Sequence, residues 1–259
     1  TTLGADNGIG VAINLALAES ESVRHGPLEL LFTVDEETGL TGAAGLEPGL
    51  LQGDYLLNLD SEEEGLIYVG CAGGAGQDIS LPLQWQKVSK GKCLSVDFVG
   101  LRGGHSGADI HLQRGNGVQL LARLLREAQR KVGFHLVRIE GGNMHNAIPR
   151  EAMGTVVATG DGFEKVVRPL FERIREEYRT VEPDLGIRIR KEKSLPAHCL
   201  TDESAQRSLA LLHSLPHGVA AMSNEIPNLV ETSCNLASVR TGEEALEVHV
   251  SSRSSRQSA

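Results

Sequence analysis

Three acidic clusters near the start of the sequence contain the residues best suited to chemistry. They are Asp6 in a glycine-flanked loop, the adjacent pair Glu36 and Glu37, and Asp60. Carboxylates that crowd together repel one another unless a cation neutralises them, so their convergence would imply divalent metal ions. Consecutive glutamates point in different directions, so one could bind a metal ion while its neighbour serves as a general base. This pattern predicts metal-assisted hydrolysis.

Taken singly, each of these acids is weak evidence, because such residues are more often part of a solvated loop or a helix cap. Their conjunction favours the catalytic interpretation. In two-metal sites the ions lie roughly 3.5 to 4 Å apart and share a bridging carboxylate. Asp6 is our candidate for that bridge, because the glycines beside it allow the backbone to approach closely.

The segments around the acids predict an α/β unit. An amphipathic helix is expected between Ile9 and Leu17, and buried strands are expected at Leu28–Val34 and Tyr55–Leu59. The acids follow these two strands directly. Ligands of open α/β sheets collect outside the carboxyl ends of the strands, so we expect the acids to meet at one sheet edge.

The rest of the chain has a different sequence pattern, in which predicted strands dominate. A glycine-rich joint at Gly70–Gly76 suggests a domain boundary, which we place between residues 1–74 and residues 75–259. The expected strands after the joint are Leu94–Val99, His135–Glu140, Ala152–Thr159, Gly186–Arg190, Val230–Val239 and Ala245–Ser252. The expected helices are Val118–Lys131, Phe163–Tyr178 and Asp202–Leu215. This order is typical of an α+β domain with helices on one face of a sheet.

Composition narrows the functional classes. Among 259 residues, 40% are hydrophobic, and 25 basic against 34 acidic residues give a net charge of −9. This balance disfavours a nucleic-acid partner and suits a cation-binding site. The four cysteines form no CxxC pair, and we read neither a membrane span nor a signal peptide in the sequence. We therefore expect a cytoplasmic protein without a membrane partner.

Several ordered motifs resemble one enzyme family. The motifs are Leu3–Gly10, Asp35–Gly39, Asn58–Gly65, Gly103–Gly107 and Asn146–Ala152. Together they resemble the aminoacyl-histidine (Xaa-His) dipeptidases of the M20 metallopeptidase group. The resemblance implies a partial three-layer α/β/α catalytic domain in residues 1–74, followed by an α+β lid or dimerisation domain in residues 75–259.

The resemblance also assigns roles to the acids. Asp6 would bridge two divalent cations, Glu37 would bind one of them and Asp60 the other, and Glu36 would be the general base. Zinc is the expected ion, with cobalt or manganese as alternatives. The family pattern further includes an upstream His-x-Asp motif and a metal-binding histidine near the C-terminus, and neither is present in this sequence. We therefore expect a fragment lacking both ends, inactive as an isolated chain.

Three residues of the expected lid would contact the substrate. His105 lies in a Gly-Gly-His-Ser-Gly turn, where its imidazole could meet a substrate oxyanion or simply bond to nearby backbone. By resemblance, Asn146 would contact the substrate, although an asparagine there is also a common turn former. Arg253 resembles the lid arginine that binds the terminal carboxylate, and Arg256 is a competing candidate.

The function implied is hydrolysis of dipeptides, preferentially Xaa-His (carnosine-like), by a water molecule that two metal ions activate. An M20-type aminoacylase or deacylase is one alternative. A non-catalytic lid or assembly module is another, because two ligands are missing and lids of this group mediate dimerisation. A homodimer is expected by resemblance alone.

Overall fold

The computed structural model describes residues 6–36, 39–60 and 65–257. The chain divides into two compact units, which we call the N-terminal unit (Thr1–Val69) and the C-terminal unit (Gly70–Ala259). The boundary predicted from the sequence lies nearby, at residue 74. The catalytic and lid roles expected of the two parts remain predictions.

The described part of the N-terminal unit contains two helices, α1 (Gly8–Glu19) and the single turn α2 (Thr41–Ala44). Asn7 caps the first helix, because its Oδ1 accepts a hydrogen bond from the N–H of Gly10 at 2.9 Å. The helix predicted between Ile9 and Leu17 is confirmed.

The prediction of two strands in this unit is wrong. Leu28–Val34 and Tyr55–Leu59 lie in non-helical, unpaired conformations, and no strand occurs within the described residues of the unit. Such apolar runs suit buried parallel strands, which need partners at both edges and cover on both faces. Neither segment has a ladder partner among the described residues, and Val34, Tyr55 and Leu57 are 72%, 92% and 84% exposed. Hydrophobicity alone therefore does not form these strands.

The C-terminal unit contains twelve strands, three α-helices and one short 3-10 helix (Ile110–Leu112) within its described residues. The α-helices are α3 (Gly117–Gln129), α4 (Phe163–Tyr178) and α5 (Asp202–Ser214). The strands are β1 (Gly73–Pro82), β2 (Trp85–Lys87), β3 (Lys92–Val99), β4 (Gly104–His105), β5 (Phe134–Gly141), β6 (Ala147–Ile148), β7 (Ala152–Ala158), β8 (Gly186–Lys191), β9 (His198–Leu200), β10 (Gly218–Met222), β11 (Val230–Thr241) and β12 (Ala245–Ser254).

Eight of these strands form one antiparallel sheet. Its order is β1-β12-β11-β5-β7-β3-β8, and β10 also pairs with β11. Two small sheets, β2-β9 and β4-β6, lie outside it. The six strands predicted from Leu94 onward overlap strands of the large sheet, so the α+β arrangement and the mixed α/β class are confirmed.

The helices cover the sheet around α3. This helix begins after its N-cap Asn116 and packs against α4, α5 and the strands β3, β5, β7 and β11. Leu121, Leu124 and Leu125 on its inner face are fully buried. Burying a leucine contributes about 1.5–3 kcal/mol relative to exposure. The sheet and the three helices therefore share one hydrophobic core.

Within the described ranges, no helix is both long and apolar enough to span a bilayer.

Candidate active site

Two of the predicted metal ligands lie on neighbouring segments of the N-terminal unit. Asn7 Nδ2 donates a hydrogen bond of 2.7 Å to the carbonyl of Leu59, which joins the segment of Asp6 to that of Asp60. A Cβ placed on Gly10 would lie 3.3 Å from the Leu59 Cβ, so glycine permits this close approach. Both acids are exposed. The helix start therefore holds the two acid-bearing segments side by side.

The glutamate pair is only partly described. Glu36 lies in a turn, where its carbonyl accepts hydrogen bonds from Gly39 N–H (3.2 Å) and Leu40 N–H (3.1 Å). Glu37 lies outside the described residues. In the part of the chain that the structure describes, no group of three or more His, Cys, Asp or Glu is arranged around a common metal position. The convergence of all four acids therefore stays a prediction, although exposed carboxylates are suitable donors for divalent cations.

In the C-terminal unit, backbone contacts fix the ring of His105. Its Nδ1 accepts hydrogen bonds from the N–H groups of Gly107 (3.3 Å) and Ala108 (3.1 Å). Because Nδ1 is an acceptor, the neutral ring carries its proton on Nε2. The side chain is exposed. His105 thus combines both readings of the sequence: backbone groups satisfy one ring nitrogen, and the other remains a donor.

The glycines of the motif allow this turn to form. Gly103 and Gly104 have φ values of +64° and +144°, which favour glycine. A Cβ on Gly104 would lie 2.6 Å from Asp109 Oδ2, the atom that accepts the N–H of His105 at 2.9 Å. Arg114 Nη1 donates to the carbonyl of Gly103 at 2.5 Å. The motif is therefore a rigid turn that presents the imidazole.

Asn146 lies directly beside this turn. Its carbonyl accepts the N–H of Ser106 at 2.7 Å, and the following residue, Ala147, pairs with His105 between β6 and β4. The carbonyl of Ala147 accepts a hydrogen bond of 2.9 Å from Asn235 Nδ2 on β11. Asn146 is half-buried. Two neighbouring turns therefore bring Asn146 close to His105.

Arg253 reaches the same place from the end of β12. A Cβ on Gly107 would lie 3.2 Å from both Arg253 Nε and His105 Cε1, so the guanidinium and the imidazole border the same glycine. Arg256 instead pairs with Glu231, with 2.9 Å between Nε and Oε2. No ion pair involves Arg253 within the described ranges. Of the two arginines, Arg253 is the one with an uncommitted charge.

A buried carboxylate that was not predicted from the sequence lies beneath this turn. Glu182 is 0% exposed, and its Oε2 and Oε1 accept the N–H groups of Arg102 (2.8 Å) and Gly115 (2.9 Å). In the sequence this residue precedes proline and aspartate, a context that resembles a surface turn. No local pattern distinguishes it, because its partners are distant backbone groups.

The sequence analysis also assigned no role to His217. Asn116 Oδ1 caps α3 by accepting from Val118 and Gln119 N–H, so its Nδ2 must be the group that donates to His217 Nδ1 at 3.2 Å. Burial lowers the pKa of His217 to about 4, although the carbonyl of Arg114 and the side chain of Asn235 oppose this shift. The ring is therefore neutral at pH 7, and it forms hydrogen bonds with the side chains of Asn116 and Asn235.

Comparison with known proteins identifies relatives along nearly the whole chain. No family model matches the sequence. The chain is 40% identical over 258 residues, 98% of its length, to the cytosol non-specific dipeptidase of Escherichia coli (strain K12), and covers 53% of that protein. It also matches the crystal structure of aminoacylhistidine dipeptidase from Vibrio alginolyticus, with 40% identity and a TM-score of 0.82, over 100% of this chain and 53% of that one. The resemblance inferred from the motifs is confirmed, and the chain spans about half the length of these relatives.

Proposed function

We propose that this chain, which is 40% identical over 98% of its length to a cytosol non-specific dipeptidase, is part of a two-metal dipeptidase. Its substrates would be dipeptides, preferentially those with histidine in the second position. The observation that supports the proposal is that His105 and Arg253 border Gly107, while the carbonyl of Asn146 accepts the N–H of the adjacent Ser106. A donor for an oxyanion, a polar amide and an uncommitted guanidinium are what a small anionic substrate requires.

Asp6, Glu37 and Asp60 would hold two divalent cations, with zinc the expected ion and cobalt or manganese alternatives. The hydrogen bond between Asn7 and Leu59 supports this assignment for Asp6 and Asp60, because it holds their segments together. When bound, the ions would polarise the scissile carbonyl and an attacking water molecule.

Glu36 would act as the general base. Its carboxylate would take a proton from the attacking water and return it to the amine of the departing amino acid. His105 would donate its Nε2–H to the oxyanion that develops on the former carbonyl oxygen. This role suits a ring whose Nδ1 is already occupied by two backbone N–H groups.

Arg253 would bind the terminal carboxylate of the substrate. A guanidinium can donate two parallel hydrogen bonds to a carboxylate, which fixes both its position and its orientation. The Asn146 side chain would add a neutral contact next to it. Recognition of a free terminal carboxylate favours hydrolysis of the bond next to a C-terminus over hydrolysis of internal bonds. We further propose a cytoplasmic location and a homodimer for the whole protein.

The test is Glu36→Gln in the full-length, zinc-loaded protein, assayed with a panel of Xaa-His dipeptides. We expect kcat to fall by roughly a thousandfold, within the range that general acid–base catalysis contributes. Metal content, measured by plasma mass spectrometry, should stay at the wild-type value. Arg253→Lys should instead raise KM, because an ammonium cannot make the bidentate contact.

Three results would contradict the proposal. Undiminished turnover by the Glu36→Gln variant would remove the general base. Faster hydrolysis of N-acyl amino acids than of dipeptides by the wild-type protein would indicate an aminoacylase. Absence of any hydrolysis by the metal-loaded protein would leave an assembly role.

A further inference from the structure

Glu182 holds both ends of the loop that carries His105. One carboxylate oxygen accepts the N–H of Arg102 at 2.8 Å, and the other accepts the N–H of Gly115 at 2.9 Å. Residues 103–114, which include the His105 turn, lie between these two points. A single side chain therefore closes the loop at its base, and we call this contact the Glu182 clasp.

The clasp is built into the fold on both sides. Glu182 itself is fixed by its N–H, which donates to the carbonyl of Tyr178 at 2.8 Å after the end of α4. On the loop side, a Cβ on Gly115 would lie 2.9 Å from a methyl group of Leu101 and 3.1 Å from one of Leu120, so a larger residue would have to displace these packed side chains. Rigid structure therefore flanks the carboxylate and the two N–H groups that it binds.

A general contribution to stability explains this arrangement poorly. Glu182 is fully buried, and within the described residues no cationic side chain forms an ion pair with it. A buried carboxylate without a counter-charge is costly, and an apolar residue of similar size commonly stabilises a core as well or better. An acceptor-only group with two oxygens is, however, well suited to holding two N–H groups from separate chain segments.

We infer that Glu182 is a positioning residue for His105, which it controls by closing the 103–114 loop. This inference rests on the proposed function, because it takes His105 as the donor to the oxyanion. Glu182 does not touch the substrate. Its effect is to keep the imidazole within the narrow range of positions in which a preorganised donor stabilises the transition state.

The experiment compares Glu182→Gln with a matched control in the full-length, zinc-loaded protein. The amide keeps the volume and one acceptor but places an NH2 group opposite one of the two N–H groups, which releases one end of the loop. Glu177→Gln is the control, because Glu177 lies on α4 and bonds to Arg123 rather than to the loop. Glu182→Asp, which keeps the charge but is too short to reach both partners, provides a second variant if the first does not fold.

Two measurements separate positioning from general stability. Amide hydrogen exchange of residues 103–114 should accelerate by at least about tenfold in Glu182→Gln while α3 and β3 keep their protection. For an Xaa-His dipeptide, kcat should fall by roughly tenfold to a hundredfold with KM within about twofold, since Arg253 is carried by β12. The control should match the wild type in both.

Each alternative result has a defined meaning. Wild-type exchange in residues 103–114 would overturn the clasp, and faster exchange with unchanged kcat would overturn the positioning role. If the wild-type protein hydrolyses no dipeptide, the proposed function fails. The exchange measurement, which needs no substrate, then decides alone whether Glu182 closes the loop.

Discussion

The two units of the chain differ sharply in how they treat apolar side chains. The C-terminal unit buries most of its large hydrophobic residues between one antiparallel sheet and three α-helices. The described part of the N-terminal unit has no strand and exposes many of its apolar side chains. The most exposed are Ile9, Val34, Tyr55, Leu56, Leu57, Ile67 and Val69.

Sequence hydrophobicity does not explain this difference, because both units contain strand-like apolar runs. In the C-terminal unit every strand finds an antiparallel partner within the same unit. Leu28–Val34 and Tyr55–Leu59 are runs of the parallel type, which need partners and cover on both sides. An apolar run therefore becomes a strand only where its partner strands are present.

The largest expected effect is on amide hydrogen exchange of the 259-residue chain. Amides of β3 and β7 are in ladders beneath a packed core, whereas those of residues 28–34 and 55–59 lack ladder partners among the described residues. We expect the latter to exchange at least about a hundredfold faster, which corresponds to an opening free energy lower by roughly 3 kcal/mol. Equal protection in both regions, measured by mass spectrometry, would contradict the proposed difference between the two units.

A pair of leucine substitutions tests the same difference between the two units through their stability. Leu121 is fully buried on α3, so Leu121→Ala should lower the free energy of unfolding of the C-terminal unit by about 2–5 kcal/mol. Leu57→Ala, at a site that is largely exposed, should change stability by less than about 0.5 kcal/mol. Urea denaturation followed by circular dichroism measures both. A loss at Leu57 as large as that at Leu121 would show that the N-terminal unit has a core of its own.

The pH dependence of the C-terminal unit should reflect His217. Its pKa is about 4 in the folded state against an ordinary value of 6.5, so the unfolded chain binds the proton more readily between these values. The contribution of neutral His217 to the free energy of unfolding is therefore fully present above pH 6.5. It is lost as the pH drops toward 4, which lowers the free energy of unfolding by at most about 3 kcal/mol. Urea titrations at several pH values should show this slope. The slope of stability against pH should flatten in His217→Gln. It should persist in His25→Gln, because His25 is exposed and lies in the N-terminal unit.

The smallest effect concerns a surface ion pair of the C-terminal unit. Arg123 and Glu177 form two hydrogen bonds of 2.6 and 2.8 Å, and the hydrogen bond from Arg123 lowers the pKa of Glu177. Because Glu177 is half exposed, Glu177→Gln should cost less than about 1 kcal/mol. The loss should shrink further in 0.5 M salt if screening governs the pair. A larger cost, insensitive to salt in thermal unfolding, would contradict this estimate.

Much of the C-terminal unit was predictable because its signals are local. Alternating residues predicted β3, and the 3.6-residue period predicted α3 and α4. The glycine-rich joint contains the division between the units at Gly70, but the sequence did not show that Gly73 and Gly74 begin β1. They pair with Ser254 and Arg253, so a distant strand determines their conformation.

In the candidate site, too, residues with a local sequence signal were predictable and residues that act through distant contacts were not. The motif residues His105, Asn146 and Arg253 could be named from the sequence, and the structure places them together. Glu182 and Asn235 could not, because each acts on backbone groups far along the chain. Whether the four acids meet remains a prediction.

The pairing of β1 with β12 has a consequence for biosynthesis. Asp78 on β1 bonds to His249 on β12, which is 171 residues further along the chain. At about 5–20 residues per second, a ribosome needs roughly ten to thirty seconds to make that interval. During this time the newly made β1 has no neighbour to pair with, and its open edge can join another nascent chain. Chaperone binding at this stage would protect the sheet until its last strand emerges.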